Sequence, residues 1–369
     1  MVPALTKRPS GDDQQNSAED PGLRLAKATE RATIRDVAKR AGCSIGTASK
    51  ALNANGRLTL ETREKVRRAA SELGYRPNDL ALSLHRKKSF TVGILTTDSF
   101  GRFSFPIVEA LERQLANHGI AVFMCNATDD PARERQHIDQ LLGKQVDGLV
   151  ATARRADRRP PIDIGNRDLP IIYVFSQTDD PNACCLLPDD EGGATLAVRH
   201  LVGLGRKRIA HVTGPEHFEA VRLRRLGCRR ALAAAGLEEV ENFFLTGAWS
   251  ESWGREAVED LFDGRCEPPD AIFCGNDQIA RGAADRLREL GIEVPTQVSI
   301  VGFDNWAVKT EASRPPLTSV DMNLSELGRE AGKLLIRMIS GERISGVQRM
   351  PCTLRVRQSC GAAAPQPEL

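Results

Sequence analysis

Residues 33–53 read TIRDVAKRAGCSIGTASKALN, and this stretch decides the fold of the first part of the chain. Apolar residues recur at helical spacing after Thr33, whose hydroxyl is placed to cap the free backbone N–H groups of the first turn. Gly42 ends that helix, and Ser44 caps a second helix that ends near Asn53. Two helices joined by so short a turn cross steeply, so the stretch predicts a helix-turn-helix.

The second helix of such a motif lies in the major groove of DNA with its N-terminal residues near base edges. Ala48 and Leu52 form its predicted inner face. The 100° step per residue then turns Gly46 and Lys50 outward, flanked by Ile45. Lys50 can donate to guanine, whereas Ile45 offers only apolar contact. Short hydroxyl side chains suit phosphates, which fix register rather than sequence. These predicted phosphate contacts are Ser44, Thr47 and Ser49.

Charge is distributed unevenly along the chain. Residues 31–88 carry 14 Lys and Arg against 5 Asp and Glu, a net charge of +9, which leaves −7 for the remainder of a chain whose total is +2. Because phosphate neutralisation by Lys and Arg supplies most non-specific DNA affinity, the basic segment predicts a polyanion partner. A solvated charged surface is the alternative explanation of this segment taken alone.

A third helix is predicted at 62–73, and Pro77 prevents it from continuing. The apolar trio Leu80, Ala81 and Leu84 then predicts a short helix that folds only with contacts from a partner helix and DNA. Leu84 is a candidate wedge between base pairs in the minor groove, where inserted apolar side chains kink the duplex. The alternative is a leucine that packs on the rest of the protein.

From residue 90 onward, short β-rich runs alternate with amphipathic helical runs, which is typical of a parallel α/β fold, and the length suits two similar lobes. Ligands of such sheets bind beyond the carboxyl ends of the strands, so the residues directly after each strand are the binding candidates. The predicted strands are 91–95, 120–125, 148–151, 171–175, 209–213, 243–245, 271–274, 299–303 and a final one around 354–356. The predicted helices include 108–117, 133–142 and 324–339.

Polar side chains recur after these strands, and amide and carboxylate groups bond ligand hydroxyls in fixed directions. They are Asp98, Asn126, Ser176, Asn276 and Asp304. Aromatic rings cover the apolar face of a pyranose or a planar base. The aromatic candidates are Phe103, Phe105 and Trp249. Any one of the polar residues has an alternative role as a helix cap or turn residue, but their recurrence favours an effector-binding site.

Composition excludes several classes of protein. No apolar run is long enough to span a bilayer, and the first thirty residues hold no apolar secretory segment, so a cytoplasmic protein with no membrane association is expected. The nine cysteines show no CxxC spacing and the six histidines form no helical pair, so neither a metal nor a cofactor is expected. No nucleophile triad or phosphate-binding glycine motif stands out, so no enzyme is predicted.

Several segments together resemble the lactose-repressor/galactose-repressor (LacI/GalR) family of bacterial transcription regulators. The similar segments are 33–42, 73–78, 189–193, 200–201, 205–210, 275–278, 301–305 and 316–320. The resemblance implies a small all-α helix-turn-helix headpiece and an α/β two-lobed effector domain like the type I periplasmic binding proteins. Three chain segments would cross between the lobes, near Asp190, Val320 and Pro351.

The resemblance also implies roles for individual residues. The base-reading positions would be Ile45, Gly46 and Lys50. The minor-groove hinge would be formed by Asn78, Ala81 and Leu84. Arg224 matches the arginine that clamps the ligand, Trp249 matches the stacking aromatic, and Asn276 and Asp304 match polar ligand contacts. The neighbouring arginines are alternatives to Arg224, and they are Arg222 and Arg225.

The sequence therefore predicts a DNA-binding transcription regulator, a repressor, that reads a near-palindromic double-stranded operator as a homodimer. A small-molecule effector, a sugar or sugar derivative, would control its operator affinity. A solute receptor or an enzyme on the same α/β fold is the rival interpretation. The chain end holds no heptad leucine repeat, which favours a dimer over a tetramer. The predicted divisions are a disordered tail at 1–32, the headpiece at 33–76, a hinge helix and linker at 77–89, the effector-binding and dimerisation domain at 90–360 and a tail at 361–369.

Overall fold

The computed structural model describes residues 32–53, 57–76, 88–99 and 101–362. The chain forms two compact units, one up to His85 and the other from Arg86 onward. We call the described part of the first unit the headpiece and that of the second unit the body. Within the described ranges, no helix is both long and apolar enough to cross a membrane.

The headpiece consists of three helices around a small apolar core: α1 (Ile34–Ala41), α2 (Ile45–Leu52) and α3 (Leu60–Glu72). Thr33 and Asp36 cap α1 reciprocally, because the Asp36 carboxylate accepts the Thr33 N–H at 2.8 Å and the Thr33 hydroxyl accepts the Asp36 N–H at 3.4 Å. Gly42 ends α1 with a left-handed backbone, φ 62°. The fully buried residues of the core are Val37, Ala38, Ala41, Ala48, Ala51, Val66, Ala69 and Ala70.

The predicted helix-turn-helix is confirmed, with two differences in detail. α2 buries Ala51 beside Ala48, and Leu52, predicted to face inward, is only half-buried. α3 begins at Leu60, earlier than the predicted start at residue 62. The earlier start follows from a cap, since the Thr59 hydroxyl accepts the backbone N–H of Thr62 at 3.3 Å.

The body contains two lobes, each built on one six-stranded sheet. The first lobe begins with β1 (Thr91–Thr96), α4 (Ser104–Ala116), β2 (Ala121–Asn126), α5 (Pro131–Gly143), β3 (Gly148–Thr152), β4 (Arg158–Arg159), β5 (Ile171–Val174), β6 (Gln177–Thr178) and β7 (Cys184–Pro188). The second lobe follows with α6 (Asp190–Gly203), β8 (Ile209–Thr213), α7 (Glu219–Ala234), β9 (Phe244–Thr246), α8 (Glu251–Leu261), β10 (Ala271–Cys274), α9 (Asp277–Glu289), β11 (Ser299–Phe303), α10 (Ala307–Thr310) and β12 (Thr318–Asp321). The chain returns to the first lobe with α11 (Leu324–Ile339) and β13 (Gly346–Met350) and then enters the second with β14 (Thr353–Arg355).

The two sheets have the same strand order. The first runs β2-β1-β3-β5-β7-β13 and is parallel throughout, and the second runs β9-β8-β10-β11-β12-β14 and is parallel except for β14. In each sheet the order reverses beside the first strand, between β1 and β3 and between β8 and β10. Ligands of parallel sheets bind beyond the strand ends at such a reversal, so the fold marks one edge of each lobe as a binding edge.

The chain passes between the lobes three times. The crossings lie at residue 189, at 322–323 and at 351–352. The three crossings expected near Asp190, Val320 and Pro351 are therefore confirmed. The predicted strands do not include β7, β12 and β13, nor the two-residue strands β4 and β6. β13 lies at a sheet edge and is mostly exposed, so its sequence GVQRM lacks the apolar pattern of a buried strand.

Candidate functional site

The outer face of α2 presents the three residues predicted to read bases. Ile45 is 47% exposed, and Gly46 and Lys50 are also exposed. Lys50 forms no ion pair with any residue that the structure describes, so its ammonium group is available to an acceptor. The three predicted base-reading residues are therefore all accessible on one helix of the basic segment.

The predicted phosphate contacts have structural roles at the same end of α2. The Ser44 hydroxyl accepts the backbone N–H of Thr47 at 3.1 Å and lies 2.9 Å from the Thr47 hydroxyl. Ser49 is half-buried and its hydroxyl lies 3.4 Å from the amide nitrogen of Asn53. Phosphate contacts by these hydroxyls stay a prediction. The predicted hinge residues, Asn78, Ala81 and Leu84, lie outside the described residues.

A cleft of about 760 Å³ lies between the two lobes of the body. Its walls come from loops that follow strands and from the first turns of the helices after them, which is where the strand order places the cleft. The lining combines charged groups with five aromatic rings, a composition suited to a ring-shaped polar ligand. The lining residues are Asp98, Arg102, Phe103, Arg154, Arg155, Ala156, Asp157, Phe175, Asp190, Phe218, Ala220, Arg224, Trp249, Asn276, Gln278, Asp304 and Trp306.

Arg224 lies on α7 at the floor of this cleft and is only 5% exposed. Its Nε donates to Asp190 Oδ1 at 2.8 Å, and its Nη2 lies 2.7 Å from the same oxygen. Its Nη1 donates to the carbonyl oxygen of Gly275, and the guanidinium lies 3.6 Å from the ring centroid of Phe303. These contacts fix the guanidinium against the ends of β10 and β11.

Three buried carboxyl groups of the second lobe lie close to Arg224 or to Arg102. Burial raises the pKa of Asp190, and the charge of Arg224 opposes that shift. Burial likewise raises the pKa of Asp304, against the opposing charges of Arg102 and Arg224. Burial and the nearby Asp304 both raise the pKa of Asp277. Guanidinium groups therefore favour the ionised forms of Asp190 and Asp304, whereas hydrogen bonds from the Ser319 hydroxyl and the Trp306 N–H do so chiefly for Asp277.

Arg102 connects the lobes across the cleft. It follows β1 in the first lobe, and its Nη1 donates to Gln278 Oε1 of the second lobe at 3.2 Å. Its Nη2 forms an ion pair with Asp304. The guanidinium lies between two rings, 4.7 Å from the centroid of Phe103 and 4.2 Å from that of Trp306. One side chain of the first lobe thus contacts three residues of the second.

A second set of contacts joins the lobes on another part of the rim. Asp157 of the first lobe accepts the backbone N–H of Glu219, the first residue of α7, at 3.0 Å. Beside it, the guanidinium of Arg155 lies 4.9 Å from the ring centroid of Phe218. Contacts at both places hold the lobes close, so a ligand in the cleft is positioned to contact both.

Six of the nine predicted effector residues line the cleft, and they are Asp98, Phe103, Arg224, Trp249, Asn276 and Asp304. Trp249 reaches it because Gly214 has no side chain, since a Cβ there would lie 2.1 Å from the indole. Asn276 also caps α9, its side-chain oxygen accepting the Ile279 N–H at 2.8 Å. The structure also decides among the three arginines, since only Arg224 lines the cleft. Arg222 pairs instead with Glu219 and Arg225 with Glu239.

Asp98 lines the cleft, but its carboxylate bonds its own loop. Oδ1 accepts the backbone N–H of Gly101 at 3.1 Å, and Oδ2 accepts those of Phe103 and Ser104 at 2.9 and 3.1 Å. This side chain therefore shapes the turn that holds Phe103 and Arg102. The contacts of Asp98 therefore fit the alternative role considered in the sequence analysis, that of a cap or turn residue.

Three predicted effector residues lie outside the cleft lining, which corrects their placement. Phe105 is 62% exposed because α4 starts at Ser104 and buries Ser104 and Ile107 instead. Asn126 ends β2, and its side-chain oxygen accepts the backbone N–H of Thr128 in its own turn at 2.9 Å. Ser176 lines a second cavity of about 440 Å³ beside the cleft.

Sequence reasoning missed several lining residues, chiefly Arg102, Phe175, Phe218 and Trp306. The sequence predicts Phe175 as the last residue of a strand, whereas β5 ends at Val174 in the structure and Phe175 lies just after it. Trp306 follows the predicted site residue Asp304 by two positions, so the sequence could have indicated it. The sequence could not indicate Arg102, because the role of Arg102 depends on a partner that is distant along the chain.

A helix-turn-helix headpiece joined to a two-lobed body with a ligand-sized cleft defines a class of transcription regulators. Residues 33–78 match the model of bacterial regulatory proteins of the lacI family, and residues 198–360 match that of a periplasmic binding protein-like domain. The HTH-type transcriptional repressor CytR of Escherichia coli (strain K12) is 30% identical over 341 residues, covering 92% of this chain and 99% of CytR. The chain belongs to the LacI family.

Solved structures agree with this assignment. The Lac repressor dimer bound to operator and the anti-inducer ONPF matches with a TM-score of 0.72 and 27% identity, covering 90% of this chain and all of the other. A complex of the transcriptional regulator CelR with cellobiose matches with a TM-score of 0.62 and 29% identity, covering 89% of this chain and 100% of the other. The family and fold class predicted from the sequence are confirmed, and the chain is a DNA-binding regulator of transcription.

Proposed function

We propose that this protein is a homodimeric repressor that binds a near-palindromic operator and changes its operator affinity when a small molecule occupies the cleft. The observation that carries the proposal is the combination, in one chain, of an exposed α2 face bearing Lys50 and a polar, aromatic-lined cleft between two lobes. The similarity to the CytR repressor and to an operator-bound Lac repressor dimer supports it. The protein acts in the cytoplasm, where its DNA is.

The proposed effector is a sugar or sugar derivative. The cleft volume of about 760 Å³ lies within the usual range for small-molecule sites. Trp249 offers a ring for the apolar face of a pyranose, and Arg224 and Asn276 offer fixed polar groups for its hydroxyls. The match to a regulator solved with cellobiose supports the same class.

Effector binding would act through the lobes. A ligand that contacts both walls stabilises the lobe arrangement in which those contacts form, and it shifts the population only by its difference in affinity between the two states. In a dimer, a change of lobe arrangement alters the separation of the two DNA-binding headpieces. Operator affinity then changes because both half-sites must be contacted together.

The proposal is tested by titrating the full-length protein onto a labelled near-palindromic fragment from its own promoter region. We expect specific binding that weakens steeply with salt, since each phosphate contact releases counterions. Sedimentation should give a dimer at micromolar concentration. A monomer that shows no preference for any fragment over random DNA would contradict the proposal.

Replacement of Lys50 by alanine is expected to weaken operator binding about tenfold and to relax preference at one base pair of each half-site, because a donor to guanine is lost. Fluorescence anisotropy with operator variants measures both effects. Arg67→Ala, at an exposed position of α3, serves as a comparison in which any loss should be uniform across sequences. An unchanged base preference in Lys50→Ala would remove Lys50 from the reading positions.

A further inference from the structure

The carboxylates that line the effector cleft are engaged by donors of the protein. Asp190 and Asp304 take guanidinium groups, as described above. Asp157 accepts a backbone N–H of the second lobe at 3.0 Å and lies 3.5 Å from Nε of Arg155. Asp98 bonds three backbone N–H groups of its own loop. Each of these four carboxylates therefore has at least one oxygen that is already engaged by a donor of the protein.

By contrast, two guanidinium groups of the first lobe have few acceptors among the residues that the structure describes. Arg154 makes no hydrogen bond to any described residue, and its ion-pair partner Asp129 is 3.8 Å away. Arg155 has only the 3.5 Å contact with Asp157 and its stacking on Phe218. Each guanidinium carries five N–H donors, so most donors of these two side chains have no acceptor in the part of the protein that the structure describes.

Arg102 adds donors from the neighbouring strand. It uses one N–H for Asp304 and one for Gln278, which leaves three of its five. Arg102 follows β1 and Arg154 follows β3, and these strands pair directly. Because neighbouring strands lie about 5 Å apart, both loops contribute to the same wall of the cleft.

The second cavity extends this wall. It has a volume of about 440 Å³ and shares Arg154, Arg155 and Asp157 with the cleft. Ser176 lines it and is 1% exposed, and its hydroxyl has no hydrogen-bond partner. A buried hydroxyl without a partner is costly, and a ligand oxygen placed near it would relieve that cost.

We propose that the effector is an anionic sugar, carrying a carboxylate or a phosphate that Arg154 and Arg155 bind, with Arg102 donating to the same ligand from the adjacent loop. The inference rests on the proposed function, because it names the chemical class of the effector for that cleft. An anion supplies acceptors only, which matches guanidinium groups whose donors are mostly unused. A neutral sugar lacks the charge that strengthens hydrogen bonds from a guanidinium.

Matched ligands separate charge from shape. Titration calorimetry of the full-length protein compares D-glucose and D-galactose with their uronates and with their 6-phosphates, which differ from them at C6. We expect at least one anion to bind about 10- to 100-fold more tightly than its neutral counterpart, since charge-assisted hydrogen bonds are the stronger ones. The uronate and phosphate arms distinguish the two sources of negative charge.

Variants locate the effect. Arg154→Gln and Arg155→Gln keep an amide donor but lose the charge, so each should weaken anion binding about tenfold more than it weakens binding of the neutral sugar. Arg113→Gln is the matched control, because Arg113 is 75% exposed on α4 and lies outside the lining. Added salt should weaken anion binding in the wild type more than in either cleft variant.

The proposal is overturned if none of the four anions binds, if a neutral sugar binds as tightly as its anion, or if both glutamine variants bind the anion like the wild type. Operator binding by the unliganded wild type is measured in parallel. If it is salt-dependent and specific while the anions fail, only this inference fails. If operator binding itself is missing, the proposed function fails whatever the sugars do.

Discussion

Replacing Arg224 by alanine is expected to destabilise the body by about 3–5 kcal/mol and to abolish effector binding. The side chains of Arg224 and Asp190 are 6% and 2% exposed, and removing the cation leaves a buried carboxylate without its partner. The carbonyl oxygen of Gly275 loses its donor in the same step. The cost is large because water cannot readily replace either contact at this depth.

Urea unfolding followed by tryptophan fluorescence measures this effect selectively. The three tryptophans of the chain are Trp249, Trp253 and Trp306, and all lie in the body. The neighbouring Arg222→Ala is the control, since Arg222 is 61% exposed and its pair with Glu219 should contribute little. Wild-type stability of Arg224→Ala would show that Asp190 does not depend on this ion pair.

The loss of stability in Arg224→Ala should depend on pH. Burial already raises the pKa of Asp190, and loss of Arg224 removes the charge that opposes the shift. A carboxyl whose folded pKa exceeds its unfolded value loses stability as pH rises through the folded pKa. The deficit of Arg224→Ala relative to the wild type is therefore expected to be smaller at pH 5 than at pH 8. Equal deficits at the two values would contradict a buried, proton-binding Asp190.

Replacing Leu84 by alanine is expected to weaken specific operator binding about 10- to 100-fold while changing non-specific DNA binding little. A leucine side chain moved from water into an apolar contact contributes about 1.5–3 kcal/mol, and its insertion also maintains the kink that brings protein and DNA together. Anisotropy with operator and with random DNA of equal length measures the two affinities. The prediction comes from the sequence, since this residue lies outside the described ranges.

Leu82→Ala is the matched control for Leu84→Ala. In a helix, position 82 lies about 200° from position 84, so it faces away from a groove that position 84 enters. The control should keep operator affinity close to that of the wild type. If both variants bind alike, or if Leu84→Ala keeps wild-type affinity, residue 84 is not the minor-groove wedge.

Much of the fold could be predicted from the sequence pattern, because the interactions that determine it join residues close together in the chain. The capping pair Thr33 and Asp36 and the left-handed Gly42 act within one turn of chain, so the helix-turn-helix followed from short segments. Central strands such as β1 and β10 are buried runs and were found to within a residue or so. The edge strand β13 was missed because its exposure removes the apolar signal.

The site was accessible only in part, for a related reason. Asn276 and Asp304 follow strands at the second lobe's binding edge, so the rule that ligands bind beyond strand ends found them. The same rule also selected Asn126, which lies outside the cleft lining and caps its own turn. Asp98 lines the cleft as predicted, but its carboxylate accepts backbone N–H groups of its own loop.

The sequence by itself determined the element types, the basic headpiece with its exposed α2 face, and the family to which the chain belongs. Only the tertiary structure decided which of three adjacent arginines enters the cleft, that Arg102 joins the lobes through Asp304, and that Arg154 and Arg155 keep unused donors. The physical reason is distance along the chain. Local patterns fix helices and strands, whereas a pair such as Arg102 and Asp304 exists only once folding has placed two remote loops on opposite sides of one cleft.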